Sequence, residues 1–371
     1  VRVLHVIPSI ARSAGGPSEV VRELMPELER RGINVRLITT DKGATEEDMD
    51  VLDQENVVVA KSLMARWTFA PGMVPDLWRE IGSTHIVHVH SVHTFSSTVA
   101  MLIARIRHKP VILQPHGALN QYHIAQRRKL KVGYLRLIDG IGLGAVHSAL
   151  YSSRIEVIDG SKVLPRIPAK LLPLGIDRRI LEIEHVQTDR PQVLFLARLA
   201  RKKRVDLLLE ALASPMLADA DLDAIIAGPI DGDLDYDPVS VIEKFHEKRA
   251  RLVGQVGPEA RATLLSSASI YVLPSDDESF GMSVAEAMGA GCAVICSPYV
   301  GVAKDAEHAG AVVIADQSAA GLAQSIHHLL SSPEDRETLG HRARRYARDN
   351  LTWTNIGEKL VGYYKSTVEA V

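Results

Sequence analysis

Short runs of β-branched and aliphatic residues alternate along this chain with longer stretches of helical period, and that alternation fixes the kind of fold available to it. In the first half the runs are Val1–Pro8, Asn34–Thr39, Val57–Ala60, His85–His90, Pro110–Gln114, Ala149–Ser152 and Lys170–Leu172. In the second half they are Gln192–Ala197, Ala224–Ala227, Arg251–Val253, Ile270–Leu273, Ala293–Cys296 and Ala311–Ile314. Between them lie helical stretches such as Ser18–Arg31, where Val20, Val21, Leu24 and Leu28 recur on one face. Parallel neighbours need a long return, so this order predicts parallel sheets with crossover helices.

At 371 residues the chain is long enough for two such units. The polar stretch Ile176–Pro191 has no strand character and marks the expected seam, giving units over 1–180 and 181–354. Two helices are expected after Ser332, one to about Asn350 and a last one over about 355–371. The last has no strand after it and is expected to pack back on the first unit. Ligands of such folds bind at strand carboxyl ends, here in an expected cleft between the units.

With 43 basic and 45 acidic residues the formal charge is −2, which excludes a nucleic-acid binder that works by bulk charge. Two cysteines, Cys292 and Cys296, flank an apolar run and read as buried thiols of a reducing compartment. No apolar run reaches the ~18 residues of a spanning helix and no leader is visible, so a cytoplasmic location is expected. The chain opens on Val1 rather than Met, which leaves an upstream segment open.

The richest segment runs from Pro274 to Gly291. It predicts a strand, a turn at Ser279-Phe280-Gly281, and a helix from Met282 whose amides and dipole suit a phosphate. Glu278 falls at the strand's end. Glu286 falls more than a turn into the helix, where it suits sugar hydroxyls rather than phosphate. Arg198 and Lys203 follow the first strand of the second half and belong to the same rim, a forked donor and a point charge suited to a diphosphate. Arg201, Lys202 and Arg204 read as a solvated basic turn. The first half offers Gly15-Gly16 ahead of its first helix, and His90, His93 and His116-Gly117 each just past a strand. His85 and His88 read as structural. His88 and His90 share a face, but without a third ligand at fitting spacing no metal site is expected. The aspartates Asp231, Asp233 and Asp235 resemble a divalent-ion motif but read better as a solvated turn. Leu119–Leu137 carries Arg127, Arg128, Lys129, Lys131 and Arg136 beside apolar residues, a pattern suited to an anionic acceptor or an anionic membrane surface.

Taken together these motifs resemble the retaining glycosyltransferases of family 4, which have the two-Rossmann GT-B fold. The resemblance rests on Glu278 and Glu286 around Ser-Phe-Gly, the Gly-Ala-Gly-Cys run, Arg198 with Lys203, Gly15-Gly16 and Pro115-His116-Gly117. Ala227-Gly228-Pro229 and Leu351-Thr352-Trp353 add to it. It departs at Leu174, where Asn is usual, and at Arg204, where Gly is usual. The resemblance implies that Arg198 and Lys203 hold a donor diphosphate and that Glu286 takes the ribose. It implies that Glu278 contacts the donor sugar, and that Phe280, Gly281 and Met282 lend amides. Gly15 and Gly16 then approach the diphosphate, and His116 lies by the reacting sugar, making His116, Glu278, Arg198 and Lys203 the catalytic set. His90, His93, Arg127 and Arg128 are the candidate acceptor contacts. The implied reaction is metal-independent, retaining hexosyl transfer from a UDP- or GDP-sugar to a lipid-linked glycan in surface polysaccharide assembly, at the inner membrane face. No cofactor is implied, the nucleotide sugar being a substrate. A nucleotide-sugar epimerase or hydrolase, a phosphorylase, or a two-lobed sugar-binding protein are the competing readings.

Overall fold

The computed structural model describes residues 1–50, 55–64, 66–121, 133–135, 138–186, 188–234, 236–244 and 249–370. Contacts divide the chain into two compact units, Val1–Gly175 with Trp353–Val371, and Ile176–Thr352.

The first unit holds seven strands: β1 (Arg2–Val6), β2 (Asn34–Thr40), β3 (Val57–Ala60), β4 (Ile86–His90), β5 (Val111–Gln114), β6 (Val146–Tyr151) and β7 (Ala169–Leu171). All pair in parallel, in the order β3-β2-β1-β4-β5-β6-β7. One face of this sheet is the apolar core, with Leu4, Val6, Val87, Val89, Val111 and Leu113 all buried. Side chains alternate across a strand, so His5, His88, His90 and Gln114 share the opposite face, with His5 paired to His88 and His90 to Gln114. The helix Trp353–Glu369 packs on this unit against the helix Gly16–Arg30 and β4. It buries Tyr364 completely.

The second unit holds β8 (Gln192–Leu196), β9 (Asp223–Ala227), β10 (Ala250–Gly254), β11 (Ile270–Leu273), β12 (Ala293–Cys296) and β13 (Val313–Ile314). They too run parallel, in the order β10-β9-β8-β11-β12-β13. Each sheet grows outward both ways from its first strand, so each has a switch point where loops part at the carboxyl ends. Cys292 and Cys296 bracket β12, fully buried, with burial pushing both thiols up to about 12.

Candidate functional site

At the carboxyl rim of the second sheet, three loops carry the charged residues. The loop after β8 forms a single 3-10 turn, Arg201–Lys203, and then places Arg204 in the left-handed region at φ 53° ahead of the helix Val205–Leu212. That conformation accounts for the glycine usual at this position, which adopts it without strain, and makes arginine here a strained departure. Arg204 is held by Asp206 at 3.0 Å and Asp276 at 3.4 Å. Lys202 pairs with Asp277 at 3.3 Å, so the expectation of a freely solvated basic turn is corrected: these cations stitch the loop to its neighbours.

Lys203 and Glu278, whose positions lie far apart in sequence, form an ion pair with only 13% of each side chain exposed. Ser275 Oγ donates to the same Glu278 oxygen at 3.1 Å. Glu278 is fixed through its backbone as well, its N–H donating to the Tyr299 carbonyl at 3.0 Å and its carbonyl accepting from Gly301 at 3.0 Å. Arg198 is the outlying cation, with 61% of its side chain exposed, paired to Asp231 at 2.8 Å. Asp233 accepts from the Arg201 amide at 3.2 Å. The Asp turn is therefore the counterpart of the basic loop, not merely a solvated one. Asp235 lies outside the described residues.

The turn before the helix Met282–Ala290 is set by Gly281 at φ 94°, where a Cβ would come within 2.6 Å of Val300. Phe280 is buried behind it, and the amides of Met282 and Ser283 have no intrahelical carbonyl to meet, whereas those of Val284 and Ala285 both donate to the Gly281 carbonyl at 3.0 Å. Glu286 is buried in that helix and paired with Arg261, a residue the sequence reading did not single out. Arg261 lies on the helix Pro258–Ser267, and no motif marks it.

In the first unit, Gly15 caps the helix Gly16–Arg30 at φ 87°, and a Cβ on either Gly15 or Gly16 would meet nothing within 4 Å. Gly15 answers to backbone conformation, while Gly16 leaves open space. At the ends of β4 and β5 three non-glycine residues stand in the left-handed region: Ser91 (φ 84°), His93 (φ 62°) and His116 (φ 52°). Such clustered strain is a mark of functional loops. The buried Glu156 holds the His116 turn, accepting from the amides of Gly117 at 2.5 Å and Ser152 at 2.8 Å and from the Ser152 hydroxyl at 2.7 Å. Sequence reasoning missed it, although Ser153-x-x-Glu156 is a helix-capping signature, with Ser153 Oγ accepting from the Glu156 amide at 3.2 Å.

His90 requires a correction. It lies inside β4, fully buried, and not beyond the strand's end. Its Nδ1 is 2.9 Å from His116 Nε2, and its own Nε2 is 2.9 Å from His5 Nδ1. His5 also corrects the view that His88 and His90 have no third partner: ring nitrogens of His5, His88 and His90 lie within 4.8 Å of one another. Burial lowers the pKa of His5 and His116 to about 3 and holds His88 and His90 well below 6.5. His93 stacks edge-on with Tyr134 at 5.6 Å instead of joining this group. Arg127 and Arg128, with most of Leu119–Leu137, lie outside the described residues.

Two parallel sheets with the Rossmann strand order, each with charged or strained loops at the carboxyl ends, define a double-Rossmann α/β protein. Residues 14–177 match the family described as Glycosyltransferase Family 4, and residues 177–346 match Glycosyl transferases group 1. The chain belongs to the family 4-like glycosyltransferases of the GT-B fold. It is 24% identical over 379 residues to the GDP-mannose:cellobiosyl-diphosphopolyprenol alpha-mannosyltransferase of Komagataeibacter xylinus, covering 99% of this chain and 93% of that protein. It is 26% identical over 327 residues to D-inositol 3-phosphate glycosyltransferase 1 of Catenulispora acidiphila, covering 81% and 76%. Among solved structures it resembles Anabaena Alr3699/HepE in complex with UDP, with a TM-score of 0.77 at 17% identity, covering 99% of this chain and 100% of that one. Among the described residues no helix is long and apolar enough to cross a membrane.

Proposed function

We propose that this glycosyltransferase moves a hexosyl unit, with retention, from a UDP- or GDP-sugar to a polyprenol-diphosphate-linked glycan. The Lys203–Glu278 pair carries the reading: a cation and a carboxylate held together at a strand-end rim, beside the opening turn of the helix Met282–Ala290. Breaking the sugar–diphosphate bond leaves negative charge on phosphate and positive character on the anomeric carbon. Lys203, Arg198 and the amides of Phe280, Gly281 and Met282 answer the first, and do so in place of a divalent ion. Glu278 is the sugar's hydroxyl acceptor and Glu286 the ribose's, with Arg261 orienting Glu286. Gly15 and Gly16 leave backbone room for the diphosphate, and His116 faces the reacting sugar. The acceptor hydroxyl attacks from the leaving group's side, and the departing phosphate takes its proton. The mannosyltransferase relative, named for a lipid-diphosphate acceptor, and the UDP complex of the Anabaena protein support the acceptor class and the choice of nucleotides. The cations of Leu119–Leu137 suit work at an anionic membrane face.

A panel of UDP- and GDP-sugars with a polyprenol-diphosphate disaccharide, run with and without EDTA, tests the reading. Expected are transfer from one donor class, an unchanged rate in EDTA, and a product whose anomeric NMR coupling matches the donor's. Arg198→Ala is expected to lower kcat by about 10²–10³-fold. Wild-type turnover in that variant, or an inverted product, sinks it.

A further inference from the structure

A chain of hydrogen bonds runs through the polar face of the first sheet. His88 Nδ1 lies 2.6 Å from the Tyr364 hydroxyl, which lies 3.2 Å from His5 Nε2. His5 Nδ1 meets His90 Nε2 at 2.9 Å, and His90 Nδ1 meets His116 Nε2 at 2.9 Å. All but His116 are fully buried. We propose that Tyr364, His5 and His90 form a tautomer lock, which keeps the proton of His116 on Nε2 and leaves its Nδ1 a bare hydrogen-bond acceptor. The lock stands on its own geometry; its consequence for transfer rests on the placement of His116 beside the sugar.

A neutral imidazole has one donor and one acceptor nitrogen. In a linear chain, the direction of one bond therefore fixes every other, because a single reversed ring sets two N–H groups or two lone pairs face to face. Tyr364 decides the direction. Its hydroxyl donates to one histidine and accepts from the other, and O–H donors make shorter bonds than N–H donors, about 2.7 against about 2.9 Å. The 2.6 Å contact is thus the hydroxyl's donation to His88, and the 3.2 Å contact is His5 Nε2–H donating to the phenol oxygen. His5 Nδ1 then accepts from His90 Nε2–H, and His90 Nδ1 accepts from His116 Nε2–H. At the far end His88 carries its proton on Nε2, a buried nitrogen with no hydrogen-bond partner among the described residues. The carboxamide of Gln114, two residues along the same face, is likewise unpaired, so the direction is set at Tyr364 alone. The same three histidines resemble a zinc donor set. However, His5 Nδ1 and His90 Nε2 already bond to each other, so an ion would have to break the chain.

Ring-labelled ¹⁵N-histidine in the full chain, read by long-range ¹H–¹⁵N correlation, gives each tautomer directly, with His116→Asn assigning the His116 signals. Wild-type His116 is expected wholly as the Nε2–H form. Tyr364→Phe deletes one hydroxyl and leaves His5 Nε2–H without an acceptor, so every link reverses and His116 is expected to switch to Nδ1–H. His5→Leu, which removes the acceptor of His90, is expected to do the same. An Nδ1–H wild type, an unchanged His116 in either folded variant, or zinc held by these rings would overturn the lock. In Tyr364→Phe kcat is expected to fall about tenfold with the donor KM unchanged, the worth of one hydrogen bond. A switched tautomer with unchanged kcat would keep the lock and remove His116 from the reacting sugar.

Discussion

Arg198 and Lys203 look alike in the sequence and differ in what removing them does. Lys203 neutralises a mostly buried carboxylate, so Lys203→Ala strands Glu278 and is expected to cost about 3 kcal/mol of stability besides activity. Arg198 is largely exposed and its pair with Asp231 adds at most about 1 kcal/mol, so Arg198→Ala is expected to lose turnover while unfolding in urea almost as the wild type does. Urea titrations of both variants separate the cases, and equal midpoints would contradict the burial argument. Glu156 makes the same point in the first unit. Its carboxylate accepts three bonds, two of them from amides. Glu156→Gln puts an NH₂ against some of those donors. It is expected to lose about 1–3 kcal/mol and to loosen the His116 turn, read as lower stability with faster exchange of the Gly117 amide. The motif-bearing residues were legible because their chemistry repeats in a fixed order. Their partners Arg261, Glu156 and His5 were not, and Asp231 was read only as part of a solvated turn, since each comes from a different element and only the folded register brings it near.

Secondary structure was the more readable level. Ile270–Leu273, Ala293–Cys296, Val57–Ala60 and the helices Pro258–Ser267 and Met282–Ala290 fall where periodicity put them. Buried parallel strands are continuous apolar runs and their crossover helices are amphipathic, so the two signals hardly overlap. Errors sit at strand ends. His90 reads as a loop residue because histidine is polar, yet the opposite face of this sheet is itself polar, and the tyrosine of a distant helix supplies its environment. Arg204 marks the other limit, a left-handed hinge between the 3-10 turn and its helix in a residue whose Cβ makes that conformation strained. Arg204→Ala keeps the strained backbone and loses both ion pairs, whereas Arg204→Gly relieves the strain. The glycine variant is expected to be the more stable of the two by about 1 kcal/mol in urea unfolding, and the reverse order would refute a strained hinge.

At the level of the whole chain, the two units share a strand order but not an internal chemistry. The second unit stabilises its rim with ion pairs, while the first carries buried neutral imidazoles: His5, His88 and His90, with His116 at the edge, faced by Tyr364 and Gln114. That difference sets their response to acid. In the unfolded chain these histidines take a proton near 6.5; in the folded unit His5 and His116 resist down to about 3. Between those values the unfolded state binds more protons, so the first unit's stability rises with pH across the window and is lost as pH falls below about 6.5. Among the described residues of the second unit no histidine is buried, so that unit has no counterpart to this response. Hydrogen exchange followed by mass spectrometry from pH 7 to 5, corrected for intrinsic rates, is therefore expected to show protection falling first in β1, β4 and the helix Trp353–Glu369. The strands β8, β11 and β12 should hold theirs over the same range. Loss in the opposite order would mean that the imidazoles are charged in the folded state, and then the hydrogen-bonded chain through Tyr364 could not have a single direction.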